Sequence, residues 1–145
     1  MVYIDTSVAV KLVRPEAHSQ DLSGWVGEMA DTPFVSSVLI EVELIRATRR
    51  VDPGGLVRAA AVLAGIGVVT LSPAFVARTT GDLDPDLRSI DAIHLATAGH
   101  VASTTTGVLT AFLGYDEHLL AAARHFGLPI MAPGVLRGPD GSVQR

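Results

Sequence analysis

Five short apolar runs divide the chain, and each is followed by residues that favour a turn or the start of a helix. The runs lie at residues 2–4, 34–36, 68–71, 108–115 and 129–131. Between them, apolar residues recur at the three- and four-residue spacing of α-helices. Short buried strands that alternate with helices are typical of a mainly parallel sheet. The pattern therefore predicts an α/β fold with a central, mainly parallel, five-stranded sheet flanked by helices.

Some of the predicted helices have recognisable ends. Ser72 followed by Pro73 pairs an N-cap residue with a proline at the first helical position. Asp116 or Tyr115 begins a later helix, which Gly127 ends. No internal repeat is visible between these elements.

Length and composition favour one domain. A chain of 145 residues, 48% of them hydrophobic, can form one compact domain with a substantial core. We expect this domain to span residues 1–133. Residues 134–145 are rich in glycine and polar side chains, and we expect them to form a flexible C-terminal tail.

The sequence contains no cysteine, which excludes disulfides, thiolate nucleophiles and cysteine-bound zinc. The apolar run at residues 59–71 is shorter than the roughly 18 residues that a membrane-spanning helix needs. The N-terminus reaches Asp5 without the basic and apolar regions of a signal peptide. We therefore expect a cytoplasmic protein that does not associate with membranes.

Acidic residues follow two of the predicted strands. Asp5 directly follows the first strand, and Asp116 follows the fourth. The carboxyl ends of parallel strands meet at one edge of the sheet, where open α/β folds bind ligands. The helix after the second strand carries Glu41 and Glu43, and its periodicity does not choose between them. The sequence thus directs several carboxylates to one edge.

A further acid lies in the stretch RSIDAIHLATAGH, residues 88–100, which has the pattern of a helix. On a 3.6-residue period Asp91 shares a face with Leu95 and Ala98, the face predicted to be buried. A lone buried charge is costly. Asp91 therefore either caps its helix or joins other charged groups, and it becomes a fourth acid at the edge if its helix packs there.

Clustered carboxylates need protons or cations, because two of them about 5 Å apart repel by about 3 kcal/mol at an effective dielectric near 20. A site with oxygen ligands alone suits Mg²⁺ or Mn²⁺.

Each acid also has an ordinary structural interpretation. Asp5 and Asp116 can cap helices, and Glu43 can pair with an arginine of its own helix. Asp91 can be a first-turn acid that the helix dipole favours. The residues alone leave both interpretations open.

Four stretches resemble one known family. They are YIDTSVAVKL, SSVLIEVELIRATRR, RSIDAIHLATA and GYDEHLLAAARHFGLPIMAP, in the family's order from residue 2 to about residue 133. They resemble the PIN domain and, within it, the VapC-like toxins of bacterial type II toxin–antitoxin systems. The DTS after the first strand is specific in combination with RSIDAIHLATA, whereas either motif alone is weak. The resemblance implies a single PIN-like nuclease domain.

The resemblance implies a metal-dependent endoribonuclease in which a carboxylate-bound Mg²⁺ or Mn²⁺ activates water to hydrolyse RNA phosphodiester bonds. Glu43 is chosen over Glu41 because the family's pattern there reads E-L-x-R-A. At Gly114 the chain departs from the family, which often has threonine or serine two residues before its last aspartate. The implied catalytic and metal-binding residues are Asp5, Glu43, Asp91 and Asp116.

The implied partners are an RNA substrate and a cognate VapB-like antitoxin, with assembly as a homodimer or a toxin–antitoxin hetero-oligomer. The formal net charge of −4 argues mildly against nucleic-acid binding. Two divalent cations at the acids would offset that charge, which leaves Arg46, Arg49 and Arg50 as candidate phosphate contacts. A solvated helix end favoured by the C-terminal dipole is their other interpretation.

Two other classes of protein fit part of the pattern. A receiver domain or a haloacid-dehalogenase-like phosphatase also has aspartate after a strand, but needs a lysine from a later segment. The only lysine is Lys11, in the first predicted helix. A non-catalytic PIN-like module, whose acidic edge receives a basic side chain of a partner, is the alternative to an enzyme. A histidine metal site is disfavoured because no i, i+4 pair occurs among His94, His100, His118 and His125.

Overall fold

The structure is a computed structural model, and it describes residues 1–104 and 108–135. Its sheet has five strands in the order β3-β2-β1-β4-β5, and every neighbouring pair is parallel. The predicted α/β fold with a five-stranded parallel sheet is confirmed. The strands are β1 (Val2–Ile4), β2 (Phe34–Ser37), β3 (Ile66–Val69), β4 (Ala111–Leu113) and β5 (Ile130–Met131).

Seven α-helices and a 3₁₀ turn at Pro53–Gly55 connect the strands in the described residues. The predicted N-cap at Ser72 is confirmed, because its side chain accepts a hydrogen bond from the Phe75 N–H. The helices are α1 (Thr6–Val13), α2 (Ser19–Glu28), α3 (Leu39–Val51), α4 (Leu56–Ala64), α5 (Pro73–Gly81), α6 (Ser89–Thr104) and α7 (Glu117–His125).

The third strand begins two residues earlier than the sequence pattern predicts. It starts at Ile66, and Gly67 pairs with Val35 in the ladder with β2. A side chain at Gly67 would press against Val35, so glycine here permits close packing. The apolar run in the sequence begins only at Val68, because glycine is depleted in strands and Gly67 does not extend the run.

Two hydrophobic clusters lie on the two faces of the sheet. In β1, Val2 and Ile4 pack with α1, α2, α3 and α4, whereas Tyr3 packs with α6 and α7. This division follows from the alternation of side chains along a strand. Within residues 1–104 and 108–135, no helix has the length and apolar character needed to cross a membrane.

The strand order reverses beside β1, because the chain moves from β1 outward to β2 and β3 and then returns to form β4 on the other side of β1. Open α/β sheets bind ligands outside the carboxyl ends of their strands at such a switch point. The fold thus directs the residues after β1 and β4 to one crevice. The predicted flexible tail lies outside the described residues from residue 136 onward.

Candidate active site

Asp5 and Asp116 each begin a helix at the switch point. An Asp5 oxygen, Oδ2, accepts a hydrogen bond from the Ser7 N–H at 3.0 Å, and Oδ1 of Asp116 accepts one from the Leu119 N–H at 3.0 Å. Both residues therefore cap helices, as their ordinary structural interpretation predicts. Capping uses only one oxygen of each carboxylate, which leaves Oδ1 of Asp5 and Oδ2 of Asp116 for other partners.

The two loops that carry these aspartates are joined to each other. The Tyr115 N–H donates a hydrogen bond to the Ser7 hydroxyl oxygen at 3.0 Å, and the Asp5 N–H donates to the Leu113 carbonyl at 2.9 Å. These contacts fix the start of α1 against the loop after β4. The separation between the two carboxylates is thus set by the backbone.

Asp91 lies in the first turn of α6 and is 6% exposed. Arg88 bridges it to Asp116: its Nε donates to Asp91 Oδ2 at 2.6 Å, and its Nη2 donates to Asp116 Oδ2 at 2.7 Å. One guanidinium therefore lies between two of the predicted site carboxylates. The Arg88 side chain itself is 70% exposed.

The pKa of Asp91 also indicates a cluster of acids. Burial raises the pKa of Asp91 above its ordinary value, and the pairing with Arg88 opposes this without cancelling it. The negative charges of Asp116 and Asp5 raise it further. Three of the four predicted site residues therefore interact electrostatically.

Glu43 reaches the same crevice from α3. Its Oε2 accepts hydrogen bonds from the Thr6 hydroxyl at 2.7 Å and from His94 Nε2 at 2.8 Å. His94 is fully buried, and its Nδ1 lies 2.9 Å from the Tyr3 hydroxyl. The Tyr3 oxygen in turn accepts the Ser37 N–H at 3.0 Å. We call the chain Ser37–Tyr3–His94–Glu43 the buried relay.

The hydrogen-bond pattern assigns the protons of the buried relay. Burial acts to raise the pKa of Glu43, but the hydrogen bonds from His94 and Thr6 outweigh it, so the pKa lies below its ordinary value. An ionised Glu43 only accepts, so His94 carries a hydrogen on Nε2, and in the neutral ring its Nδ1 accepts from Tyr3. Burial raises the pKa of Tyr3, which keeps this donor protonated.

The structure separates the two glutamates of α3. Glu41 is exposed to solvent, whereas Glu43 points at Thr6 and His94. The sequence also allowed Glu43 to pair with an arginine of its own helix. Instead, Glu43 has Thr6 and His94 as its hydrogen-bond partners within the described ranges.

Sequence reasoning gave no role to Arg88 and dismissed His94. The signal for Arg88 was its position three residues before Asp91, the spacing of a helical ion pair. The signal for His94 was its position three residues after Asp91, on the same buried face. Neither spacing identifies the second partner, Asp116 or Glu43, because those residues come from distant parts of the chain.

Carboxylate oxygens suit a hard divalent cation, but the side chains described here are not arranged as a complete set of metal ligands. Asp5 Oδ1 and Asp91 Oδ1 accept no hydrogen bond from the described residues, although both side chains are buried. Such oxygens without partners, together with the guanidinium between Asp91 and Asp116, indicate a place that attracts positive charge. In the part of the chain that the structure describes, no three acidic or histidine side chains are grouped closely enough to hold a metal.

The chain is thus an α/β protein with acidic side chains at the switch point of its parallel sheet, at the carboxyl edge of the strands. The PIN domain family model matches residues 2–124, and the chain belongs to this family. Ribonuclease VapC35 of Mycobacterium tuberculosis is 39% identical over 137 residues, which cover 94% of the chain and 100% of VapC35. Ribonuclease VapC47 of the same species is 37% identical and covers 94% of the chain and 100% of its own length.

Solved structures share the fold at lower identity. The crystal structure of Mycobacterium tuberculosis VapC20, a sarcin–ricin loop cleaving toxin, has a TM-score of 0.64 at 15% identity and covers 84% of the chain and 95% of its own. VapBC2 from Rickettsia felis, bound to a DNA fragment from its promoter, has a TM-score of 0.66 at 12% identity and covers 91% and 98%.

Proposed function

We propose that this protein is a metal-dependent endoribonuclease that acts as the toxin of a type II toxin–antitoxin system. The observation that carries the proposal is that Arg88 bridges Asp91 and Asp116 at the switch point where Asp5 also lies, with Glu43 hydrogen-bonded to Thr6, the residue after Asp5. Support also comes from the relatives named VapC ribonucleases, which the chain matches over nearly its whole length.

In this proposal Asp5 and Asp91 hold Mg²⁺ or Mn²⁺ through their free oxygens, and Glu43 and Asp116 complete the acidic site. When bound, the divalent cation supplies positive charge that activates water and neutralises the phosphate under attack. Neighbouring side chains fix the charge and the orientation of a site residue. Thr6 and the buried relay hold Glu43 ionised and oriented.

Arg88 also contributes to the proposed function. The guanidinium pairs with Asp91 and Asp116, and it would be released from these carboxylates if a divalent cation were bound there. Because its side chain is largely exposed, Arg88 can then turn toward the crevice opening, where the phosphate of an RNA chain enters.

The partner we propose is a VapB-like antitoxin, with the toxin assembled as a homodimer or as a toxin–antitoxin hetero-oligomer in the cytoplasm. The fold shared with a chain of the VapBC2 structure supports this. The second candidate function is a non-catalytic module that receives a basic side chain at its acidic edge. It is favoured by Arg88, which shows that a guanidinium fits between Asp91 and Asp116.

Metal-dependent RNA cleavage separates the two candidates. We expect the purified protein to cleave RNA with Mg²⁺ or Mn²⁺, to stop in EDTA, and to be blocked by Ca²⁺, whose looser coordination misplaces the attacking water. Glu43→Gln should abolish cleavage, whereas Glu41→Gln, the matched change on the same helix, should leave it unchanged. Full cleavage in excess EDTA would contradict the metal dependence. A folded protein that cleaves no RNA with Mn²⁺ would favour the module.

A further inference from the structure

An open groove of about 690 Å³ begins at the candidate active site and follows α3. Thr6 and Glu43 line one end of the groove, and Arg46, Arg49 and Arg50 line the rest of its polar wall. These positions recur at the three- and four-residue spacing that places side chains on one helix face. The three arginines thus extend along the groove from Glu43, a predicted catalytic residue.

The arginines of the groove have no anionic partner among the described residues. Arg46, Arg49 and Arg50 make no ion pair there, whereas Arg58 of the neighbouring helix α4 pairs with Asp52 at 2.9 Å. The C-terminal dipole of α3 favours Arg49 and Arg50, which lie in the last turn. It does not explain Arg46, which lies a turn earlier.

Positively charged side chains line the groove along α3, and negatively charged side chains line a different groove. The whole chain carries a formal net charge of −4. Asp82, Asp84 and Asp86 line a separate groove of about 810 Å³, beside α7. The positive charge of the α3 groove is therefore a local feature of an acidic protein.

Two exposed apolar side chains complete the α3 groove. Val42 is 59% exposed and Ile90 is 45% exposed, and both line it. Apolar surface beside a row of guanidinium groups suits a ligand with charged phosphates and uncharged rings. Arginine is also the side chain best suited to grip phosphate with two parallel hydrogen bonds.

We propose that the α3 groove binds the sugar–phosphate backbone of single-stranded RNA and leads it to Glu43. The arginines contact successive phosphates, and Val42 and Ile90 contact a base or a ribose. This assignment rests on the proposed ribonuclease function, because the groove opens onto that site. It adds the direction from which the RNA strand approaches.

RNA binding without cleavage tests this assignment. A fluorescently labelled single-stranded RNA is titrated with protein in EDTA at several salt concentrations. The groove variant is Arg46→Gln with Arg50→Gln, and the matched control is Arg78→Gln with Arg124→Gln, which removes the same charge from α5 and α7. Losing two phosphate contacts should weaken binding roughly 25-fold near 0.1 M salt and reduce the salt slope by about 1.4. The control should bind as wild type does.

The outcomes distinguish the groove from the proposed function. Equal binding by groove variant, control and wild type would overturn the assignment and leave the arginines for an acidic segment of a protein partner. Equal losses in both variants would also overturn it, because only net charge would matter. Wild type that binds RNA through the groove but cleaves none with Mn²⁺ would support the groove and contradict the ribonuclease. If wild type cleaves RNA but the groove variant binds RNA as well as wild type does, the ribonuclease function is supported and the groove assignment is contradicted.

Discussion

Glu43 is held by side chains buried inside the domain, whereas Asp91 and Asp116 are held by a side chain that lies mostly in solvent. The buried relay reaches Glu43 through Tyr3 and His94, both fully buried. Arg88, which bridges the two aspartates, has 70% of its side chain exposed. The two halves of the site therefore differ in how easily their hydrogen bonds can be exchanged.

The cost of breaking each arrangement follows from burial. Removing a partner from a buried polar group costs about 1–3 kcal/mol, because that group is left without a hydrogen bond. Exposed ion pairs contribute about 0–1 kcal/mol. The Glu43 half is thus a fixed framework. In the other half the guanidinium of Arg88 is largely exposed and can leave, and we propose that a metal takes its place.

The largest effect is expected at Asp91, in the exchangeable half. Asp91→Asn should reduce RNA cleavage with Mn²⁺ by several orders of magnitude. The mutant should melt no earlier than wild type at pH 7 without metal. The pKa of Asp91 is raised in the folded state, so folding favours its neutral form, and the loss of stability builds up as the pH rises from the ordinary pKa to the raised one and is complete above it.

Thermal melting and cleavage are measured on both proteins, and melting is repeated at lower pH. The stability difference between mutant and wild type should shrink as the pH falls from the raised pKa of Asp91 to its ordinary value, because below that value Asp91 is neutral in both the folded and the unfolded wild type. A mutant that melts earlier at pH 7 and cleaves at the wild-type rate would show that Asp91 is structural.

A smaller effect is expected in the fixed half, at His94. His94→Leu removes the donor to Glu43, and cleavage should fall by about 10- to 100-fold, the usual cost of losing the hydrogen-bond partner of a metal ligand. His94→Gln can still donate to Glu43 and should retain most of the activity.

Nitrogen NMR of the wild-type imidazole should show the hydrogen on Nε2 of His94, and Tyr3→Phe should perturb that signal. Equal losses in the leucine and glutamine variants would indicate that His94 only fills space. A hydrogen on Nδ1 would contradict the buried relay directly.

Arg88→Gln should lower the metal-free stability by about 1–3 kcal/mol, because the buried carboxylate of Asp91 loses its hydrogen-bond partner. It should tighten Mn²⁺ binding, since the competing guanidinium is gone, and calorimetry or a metal-dependent melting shift measures this. Arg78→Gln removes an exposed arginine on α5 and serves as the control. Unchanged or weaker Mn²⁺ binding would mean that Arg88 does not compete with the metal.

The smallest effect is expected at Gly114, where the chain departs from its family. Gly114 does not adopt a positive φ, and an added Cβ would lie at least 3.5 Å from its neighbours, an ordinary contact. Gly114→Thr should therefore fold and raise turnover or metal affinity by about 2- to 12-fold, the value of one hydrogen bond. Gly114→Ala controls for the methyl group. Equal rates in all three proteins would show that the missing hydroxyl has no cost.

Sequence alone was sufficient for the fold and for most of the acidic positions. Apolar runs of strand length, followed by Asp5 and Asp116, predicted both the parallel sheet and the edge to which these acids belong. The reason is local: burial period, turn residues and helix caps are encoded within a few neighbouring residues. The same locality explains why the predicted start of β3 is two residues too late. From the sequence alone, a glycine that packs against a neighbouring strand is not distinguished from a glycine outside a strand.

Tertiary structure decided which side chains meet. Helical periodicity left Glu41 and Glu43 equivalent, and only the packing of α3 against α1 turned Glu43 toward Thr6. Arg88 and Asp116 are 28 residues apart, and Tyr3 and His94 are 91 apart. A period along one helix specifies the face that is buried, but not the groups buried against it. Those groups were brought together by the crossover of the chain at β1, which no short stretch of sequence records.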